Sequence, residues 1–125
     1  MQNPFLISAK PRFVDREAIL TLARETARRI GTEHPQVLRI LLFGSFARED
    51  YGTRSDLDLL VILKESEKSV PERIADLLKY APAYPTDIFP LTVAEVESRL
   101  EAGDPFLQRA LREGILLWGQ GSGSH

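Results

Sequence analysis

The sequence predicts an α/β (α+β) fold in which helices pack on a small mixed β-sheet. Segments with helical apolar spacing alternate along the chain with short runs of branched residues, which is the pattern of a sheet covered by helices. A chain of 125 residues has room for one hydrophobic core and no second one of useful size. We therefore expect a single domain over residues 1–120 and a flexible tail over 121–125, whose Gly-Ser-Gly-Ser-His sequence is typical of a linker or tag remnant.

The first predicted helix runs from Asp15 to about Gly31. Apolar residues recur there at helical spacing, with arginine and glutamate mostly on the other side. Asp15 has the side chain of an N-cap, and Gly31 is the residue type that commonly ends a helix. Residues 37–43 are branched and apolar and are closed by Gly44, so they predict the first strand and a tight turn after it. A single helical turn is expected over 45–49.

The second predicted strand, residues 57–63, is an apolar run whose length favours a strand buried on both faces. Ser69 and Glu72 have capping-box spacing and open a helix over roughly 70–80. A third strand is expected over 86–91, where Pro90 favours a position at the sheet edge.

The remaining elements follow from capping residues and glycines. Thr92 and Glu95 form a second capping box, which opens a helix ending near Gly103. A further helix then runs from Asp104 to Gly114, and a short last strand is expected over 115–118. Five apolar residues of this closing segment are predicted to pack in the core: Phe106, Leu107, Leu111, Ile115 and Leu116.

Composition limits the chemistry that the chain can perform. Sixteen basic and eighteen acidic residues give a net charge of −2, so no overall positive field attracts nucleic acid. The chain has no cysteine and two histidines, and any metal must therefore be held by oxygen, which favours magnesium or manganese. The sequence lacks an apolar run long enough to span a membrane and a secretory signal pattern, so we expect a cytoplasmic protein.

Two aspartates stand at the start of the second predicted strand. Asp56 and Asp58 are two residues apart, and side chains at that spacing on a strand point to the same side. Two carboxylates about 4 Å apart repel by about 4 kcal/mol at an effective dielectric constant near 20, so a divalent cation is their natural partner. Asp87, in the third predicted strand, joins them if the two strands are neighbours. Such a site suits a metal-bound nucleotide.

The turn after the first strand supplies groups for the phosphates. Gly44 lets the backbone approach closely, and Ser45 adds a hydroxyl donor where free backbone N–H groups can face a phosphate. Arg48 could reach the same phosphates, and Ser55 directly precedes the aspartate pair. Each of these residues alone is more often an ordinary turn or surface residue.

Taken together, Gly44-Ser45, Ala47-Arg48, Gly52 and the run from Ser55 to Leu59 resemble the signature of the nucleotidyltransferase superfamily that includes DNA polymerase β. The small size is similar to its minimal nucleotidyltransferase (MNT) branch. The resemblance implies a polymerase-β-like core in which Gly44, Ser45, Arg48 and Ser55 bind the nucleotide triphosphate. It also implies that Asp56, Asp58 and Asp87 are the catalytic and metal-ligating residues, with Asp87 as the general base.

The resemblance further implies a function and a partner. Minimal members typically act with a separate helical HEPN protein as the antitoxin of a toxin–antitoxin pair. The expected activity is thus Mg²⁺-dependent (or Mn²⁺-dependent) AMPylation, in which AMP passes from ATP to a hydroxyl, here a tyrosine of the HEPN toxin. Two alternatives remain open: an antitoxin that only binds its partner, and an aminoglycoside-type nucleotidyltransferase for small molecules, whose pocket would require a homo-oligomer. A nucleic-acid substrate is disfavoured by the near-neutral charge.

Overall fold

Over the residues that the computed structural model describes, 15–44, 47 and 56–120, helices alternate with strands as the sequence predicts. The helices are α1 (Arg16–Glu33), α2 (Val70–Leu77), α3 (Val93–Glu101) and α4 (Pro105–Glu113), with a 3₁₀ turn (Leu78–Tyr80) after α2. The strands are β1 (Val37–Phe43), β2 (Leu57–Leu63), β3 (Thr86–Thr92) and β4 (Ile115–Gly119). The predicted bounds are confirmed to within a few residues.

Helix α1 begins where the sequence predicts and ends later. The Asp15 carboxylate accepts a hydrogen bond from the Ala18 N–H at 3.2 Å, as an N-cap does. The prediction that the helix ends at Gly31 is wrong, because the helix continues to Glu33. Gly31 is instead a packing position: a Cβ placed there would lie 2.3 Å from the indole ring of Trp118 on β4. The glycine thus allows close contact between helix and sheet.

Both predicted capping boxes are confirmed. The Glu72 carboxylate accepts a hydrogen bond from the Ser69 N–H at 2.8 Å, and the Glu95 carboxylate accepts one from the Thr92 N–H at 2.9 Å. The hydroxyls of Ser69 and Thr92 in turn accept from the N–H groups of the two glutamates. These reciprocal bonds satisfy N–H groups that a helix start otherwise leaves unpaired, and so fix where α2 and α3 begin.

The sheet is mixed, as predicted, with the strand order β3-β2-β1-β4. Strand β2 is parallel to β3 and antiparallel to β1, and β4 is antiparallel to β1. Within the described residues β3 is an edge strand, which confirms the position that Pro90 predicts. The buried central strand β2 therefore lies directly beside the strand that carries Asp87.

The two faces of the sheet are covered by different helices. One face packs against α1 through a cluster that includes Ile30, Leu42 and Leu59. The other face packs against α3 and α4 through Leu60, Val96 and Leu107. Because side chains alternate along a strand, each strand contributes to both clusters. In the described part of the chain, no helix is long and apolar enough to cross a bilayer.

The predicted core positions of the closing segment are right in part. Leu107 is buried, and Leu111 and Ile115 pack against the two clusters. Phe106 and Leu116 were expected in the core and are 36% and 52% exposed. Leu116 lies on an edge strand whose other apolar side chains pack toward α1, and Phe106 lies in the first turn of α4, beside the carboxylates described next.

Candidate active site

Asp58 and Asp87 stand side by side in adjacent parallel strands. The register of the sheet pairs Asp58 on β2 with Asp87 on β3, and it pairs Asp58 with Phe43 on the other side. The three residues thus form one row across the sheet. The strands of the two aspartates are neighbours, which is the condition under which the sequence analysis joins Asp87 to the pair.

All three candidate carboxylates belong to the same face of the sheet. On β2, Leu60 faces α3 and α4, so Asp58, two residues earlier, shares that face, and Asp56 lies one further step back. On β3, Leu91 faces the same helices, as must Asp87 by the same alternation. The Leu57 N–H donates to the Pro85 carbonyl at 2.9 Å, which ties the beginnings of the two strands together.

The carboxylates act on one another electrostatically. Asp58 is half-buried, and its pKa is raised from 3.8 to about 6, first by burial and then by the negative charges of Asp87 and Asp56. Burial and like charge both disfavour the ionised form, so a cation placed between these groups would relieve the cost. A carboxyl poised in this way is typical of a functional site.

Oxygen ligands of this kind suit a divalent metal. Asp56, Asp58 and Asp87 offer only carboxylate oxygens, the donors that Mg²⁺ and Mn²⁺ prefer, and their mutual repulsion fits a bound cation. Within the described residues no three acidic, histidine or cysteine side chains are already arranged as a metal-holding group. The fit to a metal therefore rests on donor type and charge.

Gly44 is in direct contact with this row. Its φ is +81°, a backbone conformation that favours glycine. A Cβ at this position would lie 2.3 Å from Oδ2 of Asp58. The Gly44 carbonyl accepts a hydrogen bond from the Ala47 N–H at 3.1 Å, which closes a turn after β1. The predicted phosphate-binding turn therefore begins beside the predicted metal ligand.

Three predicted nucleotide-binding residues, Ser45, Arg48 and Ser55, lie outside the described residues, as does most of the helical turn expected over 45–49. Their roles stay predictions. The structure thus brings together Gly44, Asp56, Asp58 and Asp87 of the predicted set.

Aromatic residues beside the carboxylates were missed in the sequence. Phe43, Phe89 and Phe106 form an aromatic cluster, with ring centroids 5.2 to 5.5 Å apart. The sequence offered a signal for Phe89 alone, which is two residues after Asp87 and so shares its face of the strand. Tyr84 is a second omission: its phenol pKa is raised by burial and by the charge of Asp56.

Two open cavities meet at Phe106. The first, about 280 Å³, is next to the glycine turn and is lined by Phe43, Gly44, Pro105, Phe106, Arg109, Ala110 and Glu113. The second, about 330 Å³, runs along β3 and is called the β3 groove below; besides Phe106 it is lined by three groups of residues, Val70, Ile74 and Leu78 from α2 and the turn after it, Thr86 to Leu91 from β3, and Arg99 from α3. Gly44, which contacts Asp58, lines the first cavity, and Asp87 lines the second. A cavity therefore lies on either side of the pair formed by Asp58 and Asp87.

A mixed sheet that carries a glycine turn and a row of carboxylates on one face defines the nucleotidyltransferase class. Residues 25–122 match the family described as "Polymerase beta, Nucleotidyltransferase". This match covers most of the 125 residues, and the chain belongs to that family. The family predicted from the sequence is thereby confirmed, and membership implies a nucleotide triphosphate substrate and a divalent metal.

Individual relatives agree at different levels. A Methanocaldococcus jannaschii protein named "Putative protein adenylyltransferase MJ0141" is 42% identical over 48 residues, which are 38% of this chain and 48% of the relative. The matched region therefore spans about half the length of that protein. A Sulfolobus solfataricus structure described as a "putative nucleotidyltransferase" aligns with a TM-score of 0.66 and 23% identity over 86% of both chains, which shows the fold alone. A toxin–antitoxin structure with AMP-PNP aligns more distantly, with a TM-score of 0.47 and 19% identity over 88% of this chain and 77% of the other.

Proposed function

We propose that this protein is a Mg²⁺-dependent adenylyltransferase that moves AMP from ATP to a hydroxyl of a protein, a tyrosine of a HEPN-type toxin, and so acts as the antitoxin of a cytoplasmic pair. The observation that carries the proposal is the row of Asp58 and Asp87 in register on neighbouring strands, with Gly44 against Asp58. In this proposal the turn that begins at Gly44 binds the phosphates on one side of Asp58, and Asp87 on the other side accepts the proton of the acceptor hydroxyl.

The order of the residues along the row gives the reaction a direction. Gly44 lies on the β1 side of Asp58, and Asp87 lies on the β3 side. A triphosphate held by the glycine turn would direct its α-phosphate toward Asp58, and the acceptor hydroxyl would enter from the side of Asp87. Attacking and leaving oxygens then lie on opposite sides of the phosphorus, as an in-line displacement requires.

In the transfer step, the acceptor oxygen forms a bond to the α-phosphorus of ATP. The bond from that phosphorus to the oxygen bridging the α- and β-phosphates breaks, and pyrophosphate leaves with the electron pair. The hydroxyl proton passes to the carboxylate of Asp87, while Asp56 and Asp58 orient the donor. A divalent metal, when bound, neutralises charge on the phosphates.

The identity of the acceptor rests on similarity. The name of the Methanocaldococcus jannaschii relative supports a protein as acceptor, and ATP as donor agrees with that name. The tyrosine and the HEPN partner rest on the resemblance of the Gly44–Leu59 motif to minimal nucleotidyltransferases. An antitoxin role follows if the modified tyrosine is needed for the activity of the toxin.

The test uses ATP labelled either at the α- or at the γ-phosphate, incubated with Mg²⁺, this protein and the product of the adjacent reading frame. Transfer of AMP retains the α-label on the acceptor and loses the γ-label, whereas a kinase would give the opposite result. We expect Asp58→Asn to reduce labelling at least a hundredfold, because removing one carboxylate weakens the hold on the donor. Peptide mass spectrometry then identifies the modified residue.

The matched control is Asp76→Asn, which changes an exposed aspartate that is ion-paired with Lys68 and lines neither of the two cavities described above. This variant should retain full labelling. Labelling that survives Asp58→Asn with native circular dichroism would refute the proposal. Protection from the toxin without ATP or metal would favour an antitoxin that only binds, and transfer to hydroxylated small molecules alone would favour the aminoglycoside-type enzyme.

A further inference from the structure

We infer that the β3 groove is the acceptor subsite and that it holds a protein segment in which an acidic residue neighbours the reacting hydroxyl. This inference rests on the proposed function, because it names the surface on which the acceptor docks. The groove contains Asp87, the carboxylate that would accept the hydroxyl proton, and it lies on the side of the row away from Gly44.

The shape and size of the β3 groove suit the binding of side chains. Its floor is β3, and its two walls are α2 with the following 3₁₀ turn and the first turn of α4. At about 330 Å³ it lies at the small end of the range for ligand sites, so it fits one or two side chains.

The walls of the groove present large apolar side chains to solvent. Leu78 is 52% exposed on one wall and Phe106 is 36% exposed on the other. Ile74 and Phe89 continue the apolar surface between them. An aromatic ring placed here would contact apolar groups on both sides, and edge-to-face contact with Phe89 or Phe106 would add to that. This lining favours the phenol of a tyrosine over the short side chain of serine.

The charged residues of the groove indicate which type of residue lies next to the tyrosine in the acceptor. Arg99 on α3 belongs to the lining, and its side chain is about half exposed. Its ion pair with Asp104 is long, at 3.7 Å, and the Arg99 end of the pair is half exposed, so the pair holds Arg99 only weakly. Arg99 can therefore turn toward a carboxylate of the acceptor, whereas Asp87 would repel one. An acidic residue beside the tyrosine of the acceptor can form an ion pair with Arg99 while it lies away from Asp87.

An incoming protein segment cannot form backbone hydrogen bonds with the middle of β3. Pro90 has no N–H, and its carbonyl already accepts a hydrogen bond from Nη1 of Arg73 at 3.1 Å. Arg73 belongs to α2, so the backbone polar groups of Pro90 face away from β2. An incoming segment must consequently bind through its side chains.

The test measures docking and transfer separately on the full chain. The probe is an acetylated and amidated peptide with one tyrosine next to one glutamate. Two further peptides replace the tyrosine by serine and the glutamate by lysine. Binding is followed by amide chemical shifts with uniformly ¹⁵N-labelled protein, ATP binding by calorimetry, and transfer by α-labelled ATP.

The variant is Leu78→Glu, and the matched control is Leu116→Glu, because both leucines are 52% exposed and the second lies on β4, away from the groove. We expect the peptide to shift the amides of β3 and Leu78→Glu to weaken its binding at least tenfold, with ATP binding unchanged. Leu116→Glu should alter neither. The lysine peptide should bind at least threefold more weakly than the glutamate peptide, and the serine peptide weaker still.

The outcomes separate this inference from the proposed function. A peptide that shifts no β3 amide, or that binds equally to both variants, overturns the acceptor subsite even if AMP is transferred elsewhere. A peptide that docks in the groove and loses affinity through Leu78→Glu, yet receives no label from the wild-type protein, supports the groove and contradicts adenylyl transfer. Loss of ATP binding in Leu78→Glu would overturn the separation of donor and acceptor sides.

Discussion

Gly44 combines a left-handed backbone conformation with close contact to Asp58 of the candidate site. Its positive φ disfavours any other residue, and the missing side chain leaves room for the Asp58 carboxylate. The requirement for glycine therefore has two separable parts, namely the cost of the left-handed conformation and the contact with Asp58.

Gly44→Ala and Gly103→Ala separate these two parts. Both glycines have φ +81°, but a Cβ at Gly103 meets nothing within 4 Å. We expect Gly103→Ala to cost about 1 kcal/mol of unfolding free energy from conformation alone and to leave activity unchanged. Gly44→Ala should cost about 2 kcal/mol or more of unfolding free energy and abolish transfer, because the Asp58 carboxylate must move away from the new Cβ. Urea unfolding and labelling measure both, and equal effects of the two variants would contradict the role of the contact.

The carboxyl of Asp58 should make stability depend on pH. Its pKa of about 6 in the folded state lies above the ordinary 3.8, so the folded protein holds this proton more tightly than the unfolded chain does. The stabilising contribution of this group is then complete below about pH 4 and is lost as pH rises through 6. In EDTA at pH 7.5, Asp58→Asn should therefore be more stable than wild type by about 1 kcal/mol, a value reduced for partial exposure.

Urea unfolding at pH 4 and pH 7.5 checks this dependence. The advantage of Asp58→Asn should shrink toward zero at pH 4. Asp76→Asn is the control: the hydrogen bond and charge of Lys68 lower the pKa of Asp76, but an exposed pair of this kind contributes little, so this variant should stay close to wild type at both pH values. An Asp58→Asn variant with the same relative stability at both pH values would contradict the expected shift.

Among the secondary-structure elements, α2, β3 and α3 are joined by one buried cation. The Arg73 guanidinium donates to both carboxylate oxygens of Glu95, at 2.7 and 3.0 Å, and its side chain is 7% exposed. It also donates to the carbonyls of Lys68 and Pro90. Glu95 thus closes the capping box of α3 and neutralises an arginine of α2 at the same time, and the strand that carries Asp87 is fixed between them.

Glu95 in α3 and Glu72 in α2 hold the same capping-box position, so the variants Glu95→Ala and Glu72→Ala can be compared directly. The second variant removes a cap and should cost about 1 kcal/mol. The first also leaves the Arg73 cation unpaired and should cost about 3 kcal/mol. Thermal unfolding at neutral pH compares them, and equal losses would contradict the role given to Arg73.

Acid should weaken the same network. The hydrogen bonds from Arg73 lower the pKa of Glu95 to about 2 from 4.5. The stabilisation is therefore present above about pH 4.5 and is lost as pH falls through 2. The stability difference between wild type and Glu95→Gln should narrow over that range.

Gly31→Ala tests the contact of α1 with β4. Alanine favours a helix over glycine by about 1 kcal/mol, so helix propensity alone predicts a more stable protein. The added Cβ would lie 2.3 Å from the Trp118 ring, and we expect a net loss of about 2 kcal/mol instead. A fluorescence shift of the single tryptophan should accompany the loss. A stabilised Gly31→Ala with unchanged fluorescence would contradict the packing.

For the whole molecule, local signals in the sequence predict the order and type of the elements. The capping boxes at Ser69 and Thr92 and the proline of β3 act within a few residues, and all three are confirmed. Asp58 and Asp87 could be linked only on the condition that their strands pair. The role of Gly31 could not be predicted, because it depends on a tryptophan 87 positions later in the chain. The aromatic cluster was missed because its members come from three separate elements.

Metal binding should stabilise the whole domain. A ligand that binds only the folded state adds about 2.7 kcal/mol at a concentration of 100 times its dissociation constant. For a domain of this size that corresponds to a rise of several degrees in the unfolding temperature. We expect Mg²⁺ with a non-hydrolysable ATP analogue to raise the unfolding temperature of wild type and of Asp76→Asn, and to leave Asp58→Asn nearly unchanged. An equal rise in all three would place the metal elsewhere.

The proline in β3 also has a consequence for behaviour at high concentration. An open sheet edge can accept a strand from another molecule and so seed aggregates. At Pro90 the outward donor is missing and the outward acceptor is occupied by Arg73. The β3 edge therefore resists edge-to-edge pairing with a sheet of another molecule. Arg73→Met would free the acceptor, and the chain should then become more prone to form fibrils on storage.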